Sequence, residues 1–120
     1  MLEKLLRKVW NRRRDTRRVS LQVPVVTSDS EGHKLEVLTE DVSDSGVRLR
    51  FKSERVARVL GHREEVPLEI RLQEDKPVLA RAKLVWAYKT IQGGSISGWQ
   101  FVNVDRRSQK RLRAFLNQHA

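Results

Sequence analysis

The stretch Asp41-Val-Ser-Asp-Ser-Gly-Val-Arg-Leu-Arg-Phe51 decides the fold. Its second half alternates: Val47, Leu49 and Phe51 fall on one side and Arg48 and Arg50 on the other, the period of a strand with one buried face. Its first half, DVSDSG over residues 41–46, is built of residues that favour turns, and Leu35 and Val37 upstream begin another alternating run. Two alternating runs joined by turn residues predict a β-hairpin.

The same period recurs on both sides. Val19, Leu21, Val23 and Val25 alternate with Ser20, Gln22 and Pro24, and the run stops at the loop composition Ser28-Asp-Ser-Glu-Gly32, so a first strand is expected there. Leu68, Ile70 and Leu72 form another run; Glu74-Asp-Lys-Pro77 supplies a turn, and Val78, Ala80, Ala82, Leu84 and Trp86 alternate after it. Gln92-Gly-Gly-Ser95 marks a further turn before Ile96–Val104, which is rich in β-branched and aromatic residues. Six short, evenly spaced strands predict a mainly β barrel or sandwich.

Helical spacing appears at the two ends. Leu2, Leu5, Leu6, Val9 and Trp10 follow one helical face with Glu3, Lys4, Arg7 and Lys8 opposite, predicting an N-terminal amphipathic helix. At the other end Asp105 fits an N-cap, and Leu112, Phe115 and Leu116 form an apolar stripe amid Arg106, Arg107, Lys110, Arg111 and Arg113; a helix there would cover one opening of the barrel. Residues 53–65 read two ways, since Val56, Val59 and Leu60 suit a helical turn while Gly61 and the charges after it suit a loop.

At 120 residues the chain has the size of one domain. Its 25 Lys and Arg against 15 Asp and Glu, a net charge of +10, point to an acidic or phosphorylated partner without choosing its class. The absence of cysteine excludes disulfides and thiolate metal sites and suits a cytoplasmic setting. The longest apolar run, Leu84–Tyr88, is far short of the roughly 20 residues of a membrane-spanning helix, and the charged N-terminus does not suit a signal peptide.

The charge is concentrated. Arg12, Arg13, Arg14, Arg17 and Arg18 fall within seven residues, spaced so that Arg14 and Arg18, or Arg13 and Arg17, stand four apart. Each guanidinium offers a planar pair of donors that suits a phosphate or the O6 and N7 of guanine, although a solvated basic linker has the same composition. In the 41–46 turn, Asp41 can accept from the guanine N1 and N2 amines, Ser43 can meet a phosphate, and Gly46 permits positive φ or close backbone approach. The same residues equally suit a self-satisfied turn, with Asp41 and Ser43 bonding their own backbone and Gly46 in the left-handed conformation.

The pair of spacings, R-x-x-x-R at Arg14 and Arg18 and D-x-S-x-x-G at Asp41, Ser43 and Gly46, resembles the PilZ domain family, receptors for the bacterial second messenger cyclic di-GMP. Gly46-Val-Arg-Leu-Arg50, Leu84-Val-Trp-Ala87 and Gly98-Trp-Gln-Phe101 are similar to its later strands, so the resemblance runs from about residue 12 to the end. It implies a six-stranded antiparallel β-barrel with a C-terminal helix over 12–120, behind the N-terminal helix or linker of 1–11. It also implies cyclic di-GMP as ligand, bound by Arg13, Arg14, Arg18, Asp41, Ser43 and Gly46. The register Arg14–Arg18 is preferred because Arg18 then directly precedes the strand, as in the family. Arg13 resembles the extra arginine of members that take an intercalated ligand dimer. Arg12 and Arg17 are secondary candidates, as is Trp86, which alternation puts on the core face and which would otherwise stack on guanine.

No enzyme is expected. His33, His62 and His119 are scattered, the acidic pairs lack a nucleophile, and Gly93–Gly98 lacks the lysine and helix of a phosphate loop, so neither a catalytic nor a metal site is assigned. The expected mechanism is that ligand orders the arginine segment and so reorients the Leu2–Trp10 helix toward a protein partner or attached enzyme domain. Cellulose synthesis and motility are among the family's outputs, and the inner face of the membrane would be reached through such a partner. The alternatives are a basic barrel binding nucleic acid through a charged groove and aromatics, or one binding an anionic membrane surface. A single Tyr and few surface aromatics weigh against specific nucleic-acid binding.

Overall fold

The computed structural model describes residues 18–73 and 75–119. The helix expected over Leu2–Trp10, and Arg12, Arg13, Arg14 and Arg17, lie outside them. The described residues form strands β1 (Pro24–Ser28), β2 (Lys34–Val42) and β3 (Gly46–Phe51), helix α1 (Glu54–Gly61), strands β4 (Val66–Ile70), β5 (Val78–Lys89) and β6 (Ser95–Val104), and helix α2 (Arg106–His119). The strands close into one antiparallel barrel in the order β1-β2-β3-β6-β5-β4, sealed where Val25 pairs with Ile70 and Val26 with Glu69. Closure leaves no open sheet edge, which is how a small sheet of this kind avoids pairing with other chains.

The inward row of each strand builds the core. Val25, Val42, Leu49, Val66, Ile70 and Val78 are fully or almost fully buried, and Leu112, Phe115 and Leu116 of α2 join the same cluster. Asp105 caps α2 as expected, its carboxylate accepting from the Ser108 backbone N–H at 2.7 Å. The turns expected at 28–32 and 92–95 are present, with Gly32 and Gly93 at positive φ.

Two expectations change, and one open reading is resolved. The ladder of β1 starts at Pro24 and not at Val19, because a side chain takes over the pairing: the Thr39 hydroxyl accepts from the Val23 N–H and donates to the Leu21 carbonyl. Val19 keeps one isolated bridge, to Val42. The fourth strand runs from Val66 to Ile70, two residues ahead of the Leu68–Leu72 run. Residues 54–61 are helical, with Ser53 as N-cap. Ala57 and Leu60 are the helix's buried face, while Val56 and Val59 are exposed. Gly61 closes the helix against Leu84, where a Cβ would come 2.2 Å from a side-chain carbon.

Candidate functional site

The site is made by two bulges. In the β2–β3 pair Thr39 stands opposite Leu49, both buried, and then Asp41 stands opposite Arg48, so Glu40 is an extra residue. An extra residue reverses the alternation after it, and Asp41 leaves the inward row for the outward one. In β5 the same happens at Val85: Leu84 pairs with buried Trp99, but Trp86 pairs with Gly98. Arg48 also pairs with Gly98 across β3 and β6. Asp41, Arg48, Gly98 and Trp86 therefore form one continuous outward row across four neighbouring strands.

Arg18 reaches that row because reciprocal backbone hydrogen bonds of 2.9 and 3.0 Å tie Val19 to Val42. Its Nη1 donates to Asp41 Oδ1 at 2.7 Å, and Arg48 donates to Oδ2 through both Nε and Nη2. The two arginine side chains are 45% and 42% exposed, while that of Asp41 beneath them is 1% exposed. Two cations over one anion leave the spot net positive. The hydrogen bond to Asp41 pushes the Arg48 guanidinium above its ordinary value, opposed by partial burial and helped by the charges of Asp41 and Glu40.

The turn that follows is self-satisfied at Ser43 and tight at Gly46. The Ser43 hydroxyl accepts from the backbone N–H groups of Ser45 and Gly46 at 3.3 and 3.2 Å and donates to the Gly46 carbonyl at 3.1 Å. Gly46 does not have positive φ; a Cβ there would lie 2.3 Å from the Trp99 carbonyl oxygen, so its role is close approach of β3 to β6. Asp41 makes an ion pair with two arginines instead of the backbone-capping turn its sequence context also allowed.

Trp86 is half-buried and outside the core cluster, so the inward position that alternation gave it is corrected by the Val85 bulge. Its indole lies over Gly98, where a Cβ would come within 2.4 Å of the ring, and its neighbour Tyr88 packs at a ring-centroid distance of 5.0 Å. A cavity of about 240 Å³ opens beside it, walled by Arg18, Ser43, Gly46, Arg48, Trp86 and Gly98 among others. Asp41 is not on that wall, because the two arginines cover it. Larger hollows of about 450 and 520 Å³ elsewhere on the barrel contain none of the residues of the two motifs.

Of the residues singled out from sequence, the fold thus gathers Arg18, Asp41, Ser43, Gly46 and Trp86, while Arg12, Arg13, Arg14 and Arg17 lie outside the described residues. Sequence reasoning missed Arg48 and Gly98. The signal for Arg48 is its place two residues after the motif glycine on an outward position of β3; Gly98 opens the Gly98–Phe101 stretch that resembles the family, but nothing in its spacing points to the site. Among the described residues no group of three metal-ligating side chains comes together.

Several solved structures share this fold. The inhibitor of motility MotI/DgrA from Bacillus subtilis aligns with a TM-score of 0.67 at 16% identity over 88% of this chain and 50% of its own. The PilZ domain of YcgR from Escherichia coli, solved with c-di-GMP, aligns with a TM-score of 0.67 at 14% identity, covering 89% of this chain and 91% of that domain. The K. pneumonia MrkH–c-di-GMP complex aligns at 0.62 and 17% identity, over 87% of this chain and 51% of MrkH. The chain thus spans about half the length of MotI/DgrA and MrkH, and at these identities the likeness speaks for the fold alone. Comparison with curated protein sequences returns no match. The profile of the PilZ domain, however, matches residues 11–118, nearly the whole sequence, and with the barrel described above this makes the chain a member of the PilZ domain family.

Proposed function

We propose that the chain is a cytoplasmic receptor domain for cyclic di-GMP that acts by binding and not by catalysis. The observation that carries this reading is the Arg18–Asp41 pair. It brings one residue from each of two motifs, distant in sequence, into contact beside a cavity with a half-buried indole on its wall. A guanidinium, a carboxylate and an aromatic face in one place are complementary to the O6 and N7 atoms, the amine edge and the ring of guanine, while the excess positive charge suits a phosphodiester. The PilZ domain of YcgR and MrkH, both similar in fold, were solved with this ligand.

The cavity of about 240 Å³ is smaller than the about 300–1,000 Å³ typical of sites that enclose a small molecule. The rest of the enclosure is assigned to the arginines before Arg18: Arg13 and Arg14 meet the phosphates and second guanine, Arg12 and Arg17 assist, and an intercalated ligand dimer is accommodated if Arg13 takes part. Ordering this segment would move the Leu2–Trp10 stretch and carry the signal to a protein partner or attached domain.

Isothermal titration calorimetry with cyclic di-GMP at physiological salt tests the reading, with Arg14→Ala, Arg18→Ala and Asp41→Ala alongside. Heat of binding for the wild type, lost in the variants, is the expected result, and the stoichiometry separates one ligand from two. Absence of binding overturns the reading, and uptake of single-stranded nucleic acid or anionic vesicles would then identify the partner of the basic surface.

A further inference from the structure

We infer that Arg48 is a positioning residue that keeps Asp41 aimed and charge-compensated while Arg18 is handed over to the ligand, and that it thereby sets the preference for guanine; the inference rests on the cyclic di-GMP reading above.

The starting point is that Asp41 is sealed. At 1% exposure and off the cavity wall, its carboxylate has no free approach for a base edge. Reading a guanine amine through Asp41 therefore requires one of its two arginines to leave.

The geometry points to which one. Among the described residues the Arg18 side chain makes one bond, to Oδ1, from a backbone position held by one isolated bridge at the entry to the barrel. Arg48 forks Nε and Nη2 onto Oδ2 from within β3, which is paired on both sides, to β2 and to β6. A fork from a strand fixed on both flanks loses little freedom on staying bonded, whereas one bond from a bridge at the chain's entry is the easier to break.

Release of both arginines would leave a buried carboxylate with no counter-charge, a strongly unfavourable state. With Arg48 in place only Oδ1 is vacated. Ionised carboxylate oxygens each accept at two lone pairs, so Oδ1 can take up the N1–H and the exocyclic N2 amine of one guanine while Oδ2 stays with Arg48. The guanidinium of the departing Arg18, whose side chain is 45% exposed, is then free for phosphate or for the O6 and N7 edge. Arg48 thus turns an inhibitory ion pair into an exchangeable one, and the amine-reading oxygen is presented in one orientation.

The experiment is a comparison of binding of cyclic di-GMP and of its inosine analogue, which lacks the 2-amino groups, to wild type, Arg48→Gln, Arg48→Lys and Asp41→Ala, each first checked for an intact melting transition. Arg48→Gln is expected to weaken cyclic di-GMP at least about tenfold and the inosine analogue by less than about threefold, so that the preference collapses. Arg48→Lys keeps a cation that cannot fork and is expected between the two, and adding Arg48→Gln to Asp41→Ala should cost nothing further. A wild-type ratio in Arg48→Gln overturns the inference, and so does equal weakening of both ligands, which would make Arg48 a plain source of positive charge. Failure of the wild type to bind cyclic di-GMP is a separate result that overturns the receptor reading itself.

Discussion

Asp41 and Trp86 share one outward row of the barrel because each follows a single extra residue, Glu40 in β2 and Val85 in β5. Neither residue would lie in that row on a regular ladder: alternation puts Asp41 on the side of buried Thr39 and Trp86 on the side of Leu84, which packs against the core. The bulges are what make the site.

Trp86 is therefore available to a ligand, and its removal should separate binding from folding. Trp86→Ala is expected to cost about 1–3 kcal/mol of cyclic di-GMP affinity, the range for stacking of one base, seen by calorimetry as a Kd weaker by about 5-fold to about 150-fold. The melting temperature should fall by only a few degrees, because the indole is half-buried and outside the core cluster. Unchanged affinity would return Trp86 to a purely structural part.

How far the sequence reveals this site follows from the same bulges. The 41–51 hairpin, the β5 and β6 strands, the cap at Asp105 and the apolar stripe of α2 were legible, because alternation, turn residues and helical spacing are local patterns that the tertiary fold leaves intact. The direction of Trp86 was not, since one inserted residue flips every later side chain and leaves no mark in composition. The start of β1 is hidden in the sequence for a different reason: Thr39, distant in sequence, supplies with its hydroxyl the bonds a ladder would have made. The approach that requires Gly46 is likewise tertiary, set by the Trp99 carbonyl of another strand.

The two glycines of the site should fail in different ways. Gly98→Ala puts a methyl within 2.4 Å of the Trp86 indole, a ring with room to swing outward, so about 1–3 kcal/mol of stability is lost and ligand affinity falls together with Trp86 stacking. Gly46→Ala meets backbone, the Trp99 carbonyl at 2.3 Å, which can move only by parting β3 from β6. A loss of about 3 kcal/mol or more is expected there, with the barrel largely unfolded on heating well below the wild-type transition. Thermal melts of the two variants side by side, with calorimetry on the folded one, check both statements.

Ser43 tests turn against ligand. Its hydroxyl already bonds the Ser45 and Gly46 N–H groups and the Gly46 carbonyl, so Ser43→Ala should lower stability by about 1 kcal/mol, roughly 4 °C in Tm for a domain of this size. If the affinity of the still-folded Ser43→Ala protein stays near that of the wild type, Ser43 acts by shaping the turn; if it falls about tenfold or more at a temperature where the variant is fully folded, the hydroxyl also touches the ligand.

The arginine segment offers the last test, in hydrogen exchange. Five guanidiniums between Arg12 and Arg18 repel one another, and two phosphodiester charges placed among them remove that penalty. Binding should therefore lower the exchange of backbone amides over residues 11–19, with Val19, whose N–H donates to the Val42 carbonyl at 2.9 Å, as the anchored end of the protected stretch. The release of Arg18 from Asp41 requires the change to begin at this anchor, so Arg18→Ala should abolish the protection even at ligand concentrations that still occupy part of the protein. Because phosphate contacts release counterions, raising salt should weaken protection and binding in parallel. Unchanged exchange over 11–19 with binding verified by calorimetry would show that the segment does not carry the signal, and would leave the site on the barrel as a receptor whose output lies elsewhere.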